Sequence, residues 1–241
     1  MSTNTTAPSD APATHTPTTR RQRVVVLISG RGSNMQALLR AQQAPGCPYE
    51  VVAVISNVPD AGGLKLAQDA AVSTAVIDHR RFETREAFEE VLHETLLTFA
   101  ADLVACAGFM RILTETFTRR WEGRMLNIHP SLLPAFRGLH THRRALEAGV
   151  RLHGATVHFV TPELDGGPII VQAAVPVLPD DDEQALAARV LAVEHVIYPS
   201  ALWRVAAGQV RLQEGRVVET GVAHDAGARL VSPLPEPAAS A

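Results

Sequence analysis

Short, almost wholly apolar runs that alternate with helical segments constrain the fold of this chain more than any other feature. The apolar runs have strand length and lie at 23–29, 49–55, 74–77, 103–107 and 125–129. Helical composition occupies 33–41, 63–71 and 85–99 between them. Strands that are apolar on both faces and separated by helices are typical of a parallel sheet covered on both sides. We therefore predict an α/β fold with a single doubly wound, mostly parallel sheet, which binds its ligands at the carboxyl ends of the strands.

The second half of the chain has a different pattern. Residues 155–160 alternate between apolar and polar, residues 169–177 do so more loosely, and the link between them holds Asp165-Gly-Gly-Pro168. Alternation of this kind favours antiparallel strands. We expect an antiparallel extension of the sheet in the C-terminal half. A long helix at 182–203 and a short hairpin at 209–220 should follow.

The two ends of the chain differ in composition from the middle. Residues 1–20 are rich in Ser, Thr, Pro and Ala, and 226–241 ends in Pro-Leu-Pro-Glu-Pro-Ala-Ala-Ser-Ala. Segments with so few large apolar residues cannot bury enough surface to offset their chain entropy. We predict a disordered leader at 1–20, one folded domain at 21–225 and a disordered tail at 226–241.

Charge and composition argue against several classes of protein. The 22 Lys and Arg residues nearly balance the 25 Asp and Glu residues, which gives a formal net charge of −3 and argues against a basic nucleic-acid-binding surface. No run of 18 apolar residues and no signal-peptide pattern occurs, so we expect no membrane span and a cytoplasmic location. Cys47 and Cys106 are too few for a disulfide framework. His140 and His142 lack companions at metal-ligand spacing, so we expect no metal.

The turn after the first strand, Ser29-Gly-Arg-Gly-Ser-Asn34, has the composition of a phosphate-binding loop. Its two glycines permit a tight turn and close approach of the backbone to a ligand, and the helix that follows favours an anion at its N-terminus. Met35 replaces the third glycine of the dinucleotide-binding fingerprint. The alternative interpretation is a tight turn in which Ser33 or Asn34 caps the helix.

Two polar residues near the end of the fifth apolar run are candidates for catalysis. Asn127 and His129 are two apart on a predicted strand, so their side chains should lie on the same face. An amide donor beside a group that titrates near neutrality could hold an oxyanion and move a proton. The alternative is that neighbouring backbone groups satisfy both side chains. Asp165 likewise has an alternative interpretation as an ordinary Asp-Gly turn residue.

Taken together, these segments resemble the folate-dependent glycinamide ribonucleotide formyltransferase family over about 23–218. The resemblance is carried by Ser-Gly-Arg-Gly-Ser-Asn34, Ala-Gly-Phe-Met-Arg-Ile-Leu113, Leu-Asn-Ile-His-Pro-Ser-Leu-Leu-Pro134, His-Gly-Ala-Thr-Val-His-Phe-Val160 and Glu-Leu-Asp-Gly-Gly-Pro168. It implies transfer of a formyl group from the co-substrate 10-formyltetrahydrofolate to the amine of glycinamide ribonucleotide, a step of purine biosynthesis. It also implies direct acyl transfer through a tetrahedral intermediate, without a metal.

The resemblance further implies roles for individual residues. The catalytic residues would be Asn127, His129 and Asp165, with Asn127 and a protonated His129 stabilising the oxyanion and Asp165 orienting the imidazolium. The ribonucleotide would contact Gly32, Ser33, Asn34, Gly108, Leu191, Ala192, Val193 and Glu194. The folate would contact Arg85, Met110, Arg111, Ile112, Leu113, Asn127, Thr161, Pro162, Glu163, Leu164 and Asp165.

Three other activities remain as alternatives at this stage. A 10-formyltetrahydrofolate hydrolase would use water in place of the amine, although residues 1–20 are too short and too polar for the regulatory domain expected before such a core. A methionyl-tRNA formyltransferase would need a basic surface and a further C-terminal domain. A non-catalytic nucleotide-binding module would not need Asn127, His129 and Asp165 together. We expect small-molecule substrates, no nucleic-acid partner, and a monomer or homodimer.

Overall fold

The computed structural model describes residues 20–225 and Ser232, and most of these residues build one large sheet. Its strands are β1 (Gln22–Ile28), β2 (Tyr49–Ser56), β3 (Ser73–Val76), β4 (Leu103–Cys106), β5 (Met125–His129), β6 (Leu152–Phe159) and β7 (Ile169–Pro176). The order across the sheet is β3-β2-β1-β4-β5-β6-β7. The predicted leader and tail lie outside the described residues, apart from Arg20, whose guanidinium pairs with Asp102 at 2.9 Å, and Ser232.

The sheet is parallel from β3 to β5 and antiparallel at its other edge. β6 runs antiparallel to β5, and β7 runs antiparallel to β6. A separate hairpin follows, with β8 (Val210–Gln213) paired to β9 (Arg216–Glu219). These pairings confirm the predicted mostly parallel fold with an antiparallel extension. The corner between β6 and β7 contains the Asp165-Gly-Gly-Pro168 segment, as predicted.

Helices cover both faces of the sheet. They are α1 (Ser33–Ala41), α2 (Gly62–Asp69), α3 (Arg85–Thr98), α4 (Glu115–Arg120), α5 (Thr141–Glu147) and α6 (Glu183–Ala206), with a short 3-10 helix at His79–Arg81. The sequence prediction missed α4 and α5, because six or seven residues are too few to display a helical period.

The core is divided by the sheet into two layers. Alternate residues of β1 enter opposite layers: Val24 and Val26 pack with α1 and α6, whereas Val25 and Leu27 pack with α3. The β1 residues from Val24 to Ile28 have no exposed surface. An apolar run of this kind is therefore required by burial on both faces, as the sequence pattern indicated.

Helix α6 is a core helix of this domain. Leu186, Val190, Ile197 and Tyr198 are buried on one face, and the Tyr198 hydroxyl donates to the Cys106 carbonyl at 2.9 Å. By length and composition alone, α6 is the one described helix that could also cross a membrane. Its burial against the sheet accounts for its apolar composition instead.

We predict that Gly154→Ala strongly destabilises the fold. Gly154 lies on β6, and a Cβ added there would stand 1.9 Å from the Ala173 carbonyl oxygen on β7. Backbone atoms of a paired strand cannot move away cheaply, so the free energy of unfolding should fall by roughly 3 kcal/mol or more. Urea denaturation measures this loss.

The matched control for this substitution is Gly62→Ala at the start of α2. A Cβ added at Gly62 meets no atom within 4 Å, and alanine has the better helix propensity. The unfolding free energy of this variant should stay within about 1 kcal/mol of the wild-type value. Equal stability of the two alanine variants would contradict the described β6–β7 pairing.

Candidate active site

Polar side chains on β5 and β6 meet at the carboxyl end of β5. The antiparallel register sets Asn127 opposite His158 and His129 opposite Thr156. Pro130 follows β5 directly, so the strand ends where the polar side chains lie. All four residues are buried or half-buried in the middle of an otherwise apolar sheet.

Asp165 reaches this cluster from the corner between β6 and β7. Its Oδ2 accepts a hydrogen bond from the Gly138 N–H at 2.8 Å and lies 3.4 Å from His129 Nδ1. Its Oδ1 lies 3.9 Å from His158 Nε2. The Asp165 backbone has a φ of 48°, in the left-handed region that aspartate tolerates better than most residues. The structure therefore brings Asn127, His129 and Asp165 together, although Asn127 and Asp165 are 38 positions apart in the sequence.

The tight corner depends on Gly167. A Cβ added at Gly167 would stand 1.8 Å from the Phe159 carbonyl oxygen. The chain therefore folds back directly onto the end of β6, and only glycine fits at position 167. The Asp165-Gly-Gly sequence is thus more than an ordinary turn, because it places a carboxylate beside two imidazoles.

His158 belongs to the same cluster, and sequence reasoning did not assign it. Its Nδ1 donates to the Phe159 carbonyl at 2.9 Å, since a carbonyl oxygen only accepts. Its Nε2 therefore accepts from the Asn127 amide Nδ2 at 3.2 Å. Burial lowers the pKa of His158, which favours this neutral form. Polar residues at alternate positions of β6, Thr156 and His158, were the available signal.

The His129 ring is held between two acceptors. Its Nε2 donates to the Phe136 carbonyl at 3.0 Å, and its Nδ1 faces the Asp165 carboxylate. The His129 and Asp165 side chains are only 7% and 8% exposed, so water screens their interaction poorly. Backbone groups were the alternative partners for the two polar residues on β5. His129 Nε2 does have a backbone partner, the Phe136 carbonyl, whereas the Asn127 amide bonds to the His158 side chain.

A pocket opens beside this cluster. It is lined by Cys106, Phe109, Arg111, Ile112, Leu113, Thr118, Asn127, His158, Val160, Thr161, Pro162, Glu163, Leu164 and Asp165. Nine of the eleven residues expected to contact folate are among them. The two others are Arg85, which begins α3, and Met110, whose side chain is 65% exposed.

The turn after β1 leaves the N-terminus of α1 without a side-chain cap. Gly32 is the N-cap residue with a φ of 77°, and within the described residues no side chain accepts from the first turn of α1. A Cβ at Gly32 would also approach Gly63 Cα to 2.8 Å. The interpretation of Ser33 or Asn34 as the helix cap is therefore wrong, since both lie inside the helix. The uncapped N–H groups favour an anion.

Asn34 links this turn to α6. Its amide Nδ2 donates to Glu194 Oε2 at 2.7 Å, and both side chains are buried. Asn34 Oδ1 is buried without a hydrogen-bond partner in the part of the chain that is described. Burial raises the pKa of Glu194, and the bond from Asn34 opposes this shift.

The other residues expected to contact the ribonucleotide are placed differently. On α6, Leu191 and Val193 are half-buried and Ala192 is exposed. Gly108 has a φ of 76°, and its carbonyl accepts from the Ser29 N–H at 3.1 Å. Gly108 therefore lies next to the turn after β1, where a ligand of α1 would be.

Comparison with known proteins identifies the family. The model of the formyl transferase family matches residues 22–202. A phosphoribosylglycinamide formyltransferase of Escherichia coli is 49% identical over 191 residues, which cover 79% of this chain and 90% of that protein. The solved structure of glycinamide ribonucleotide transformylase 1 from Symbiobacterium toebii is 45% identical in sequence and matches with a TM-score of 0.81. The match covers 84% of this chain and 95% of the chain in that structure.

A longer relative matches the same part of the chain. The trifunctional purine biosynthetic protein adenosine-3 of Bos taurus is 49% identical over 199 residues, or 82% of this chain, and the chain spans only 20% of that protein's length. The family model and the Escherichia coli relative both extend over most of the chain described above. The chain belongs to the formyl transferase family.

Proposed function

We propose that this protein transfers a formyl group from 10-formyltetrahydrofolate to the amine of glycinamide ribonucleotide. The observation that carries this proposal is the cluster of Asn127, His129 and Asp165, which borders a pocket and lies at the same edge of the sheet as the uncapped N-terminus of α1. The names of the relatives from Escherichia coli and Symbiobacterium toebii support the same reaction. A cytoplasmic location and a monomeric or dimeric state stay predictions.

The first turn of α1 fits the phosphate of the ribonucleotide. Gly32, Ser33 and Asn34 present backbone N–H groups, and the helix dipole favours the negative charge. The carboxylate of the buried residue Glu194 and the unpartnered Asn34 Oδ1 supply acceptors beside this turn. Two acceptors next to a phosphate site suit the hydroxyl groups of a ribose.

The pocket beside Asp165 fits the folate. Apolar side chains such as Ile112, Leu113 and Leu164 suit the faces of a flat ring system, and the backbone of Thr161–Asp165 supplies polar groups at its edge. Asn127 and Asp165 line the same pocket. A formyl group carried on the folate would therefore lie beside the polar cluster.

The reaction needs stabilisation of one developing charge and movement of two protons. The neutral amine attacks the formyl carbon, a C–N bond forms, and negative charge develops on the formyl oxygen. Asn127 uses one amide hydrogen for His158 and retains a second for this oxyanion. One such donor is typically worth roughly 3–4 kcal/mol of the barrier. The attacking nitrogen then loses a proton, which Asp165 takes through a water molecule. The bond to the folate nitrogen breaks, and that nitrogen takes a proton from His129.

His129 and Asp165 are the groups that would move protons. A protonated His129 supplies the second oxyanion donor and the proton for the leaving nitrogen, and Asp165 stabilises its charge. In the described arrangement the Nε2 hydrogen is directed at Phe136. This hydrogen bond must therefore break before the hydrogen reaches the substrate.

The transferase and the hydrolase differ in their dependence on the acceptor. Formate or formyl transfer from 10-formyltetrahydrofolate should be measured with and without glycinamide ribonucleotide. We expect consumption of the folate only when the ribonucleotide is present. Equal consumption without it would favour the hydrolase, and no consumption at all would favour a non-catalytic binding module.

We predict that Asp165→Asn lowers kcat by at least about 10²-fold, because the amide no longer stabilises a charged His129. Affinities for both substrates should change little, since the amide has nearly the same shape. Steady-state kinetics and calorimetric binding test both statements. Asp69→Asn, which removes an exposed carboxylate paired with Lys65, is the control. Near-wild-type kcat in Asp165→Asn would remove Asp165 from the mechanism.

We predict that Glu194→Gln weakens binding of glycinamide ribonucleotide by about 10- to 100-fold, the cost of losing a charged acceptor. Folate affinity should remain within about twofold. Glu183→Gln on the same helix, where the carboxylate pairs with Arg143 near the surface, is the matched control. A parallel loss of both affinities would contradict the assignment of Glu194 to the ribonucleotide.

A further inference from the structure

A chain of hydrogen bonds connects the carboxyl ends of four neighbouring parallel strands. Ser29 follows β1, Asn57 follows β2, His79 lies just after β3, and Met110 lies after β4. The Ser29 hydroxyl donates to Asn57 Oδ1 at 2.5 Å and accepts from the Met110 N–H at 2.7 Å. His79 Nδ1 lies 3.0 Å from the side-chain nitrogen Nδ2 of Asn57 and 3.0 Å from the backbone carbonyl oxygen of the same residue. The side chains of Ser29, Asn57 and His79 have no role in the reaction described above.

The last of these hydrogen bonds fixes a segment in which Phe109 and Leu113 pack against the core while two residues between them are exposed. Residues 107–114 lie outside the helices and strands. Met110 and Ile112 are 65% and 58% exposed, so burial of their side chains does not fix the backbone. Ser29 bonds to the segment twice, through its hydroxyl to Met110 and through its N–H to the Gly108 carbonyl at 3.1 Å.

A second anchor fixes the other end of the segment. Glu89 on α3 is only 4% exposed, and its carboxylate accepts from both the Thr114 N–H, at 2.8 Å, and the Thr114 hydroxyl. Between the two anchors, Arg111, Ile112 and Leu113 line the pocket. The shape of that wall is therefore set by two groups of buried or half-buried side chains that are not themselves part of it.

Asn57 is well placed to keep Ser29 in its bonding rotamer. Asn57 is 2% exposed, and its side-chain amide oxygen Oδ1 accepts the hydrogen bond from the Ser29 hydroxyl. The His79 ring contacts Asn57 on the other side and packs edge-on against Phe88, which is 3% exposed. Since Asn57 and His79 are fixed by the core, the serine hydroxyl can direct one lone pair at Met110.

We propose that Ser29, Asn57 and His79 form a positioning relay that holds residues 109–113 in the conformation that binds the folate co-substrate. The proposal rests on the assignment of the pocket to folate. The three are positioning residues, since none of them lines the pocket. Ser29 does not fit a nucleophile, because its hydroxyl donates to an amide oxygen and His79 contacts Asn57 instead of Ser29.

The relay predicts a selective loss of folate binding in Ser29→Ala. Removal of the hydroxyl leaves the Met110 N–H without its acceptor, and the Kd for tetrahydrofolate should rise by about tenfold. The KM for 10-formyltetrahydrofolate should rise in parallel, with the KM for glycinamide ribonucleotide and kcat within about threefold of wild type. Hydrogen exchange of the peptide that covers 108–114 should become faster. Ser29→Thr keeps the hydroxyl, so its Kd for tetrahydrofolate, its KM for 10-formyltetrahydrofolate and its exchange rate over 108–114 should match those of the wild type.

Two further variants complete the test. His79→Phe keeps the aromatic contact with Phe88 but removes the ring nitrogens, so the Kd for tetrahydrofolate should rise by a few-fold. This residue is half-buried at the surface, so the variant remains informative if Ser29→Ala does not fold. Ser200→Ala, at an exposed serine of α6, is the control and should match wild type.

The outcomes separate the relay from the proposed function. A wild-type protein that does not bind tetrahydrofolate would overturn the assignment of the pocket and the relay with it. A wild-type protein that binds tetrahydrofolate, with unchanged affinity in Ser29→Ala and His79→Phe, would overturn the relay alone. An equal rise in KM for both substrates would also overturn it, because that result indicates a general loss of structure.

Discussion

The antiparallel pairing of β6 with β5 determines where the polar groups of the site lie. Because β6 runs antiparallel to β5, residues near the carboxyl end of β6 pair with residues in the middle of β5. The register places His158 beside Asn127, and the chain then turns within the next few residues to bring Asp165 back. The turn is short enough for this because Gly167 lies against the Phe159 carbonyl.

The consequence of this pairing is a fixed order of donors and acceptors. The Phe159 carbonyl accepts from His158 Nδ1 and therefore selects the neutral form of the ring that carries its hydrogen there. In this form, His158 Nε2 accepts one hydrogen of the Asn127 amide. The second hydrogen of that amide is not used by His158. His129 lies on the other side of Asp165 and faces acceptors at both ring nitrogens. Two histidines in one cluster are thus given opposite hydrogen-bonding roles by their backbone neighbours.

The sequence was informative where a pattern extends over a whole element. Apolar strands predicted the sheet, and the alternation at 155–160 and 169–177 predicted its antiparallel edge. The meeting of Asn127, His129 and Asp165 was implied only by the family resemblance, since Asp165 alone resembles an ordinary turn residue. Backbone partners could not be predicted, because the Phe136 carbonyl and the Gly138 N–H leave no trace in residue type. The same limit applies to the cap of α1, which is a glycine backbone, and to Met110, which is held through its N–H.

The most direct test of this account is the protonation of the histidine rings, measured by ¹⁵N NMR of the histidine-labelled protein at pH 7. Signals are assigned by their loss in His129→Asn and His158→Asn. We predict a neutral His158 that carries its hydrogen on Nδ1, with an unprotonated Nε2 that accepts from Asn127. A His158 that carries its hydrogen on Nε2, or that is doubly protonated at pH 7, would contradict the arrangement on which the proposed chemistry depends.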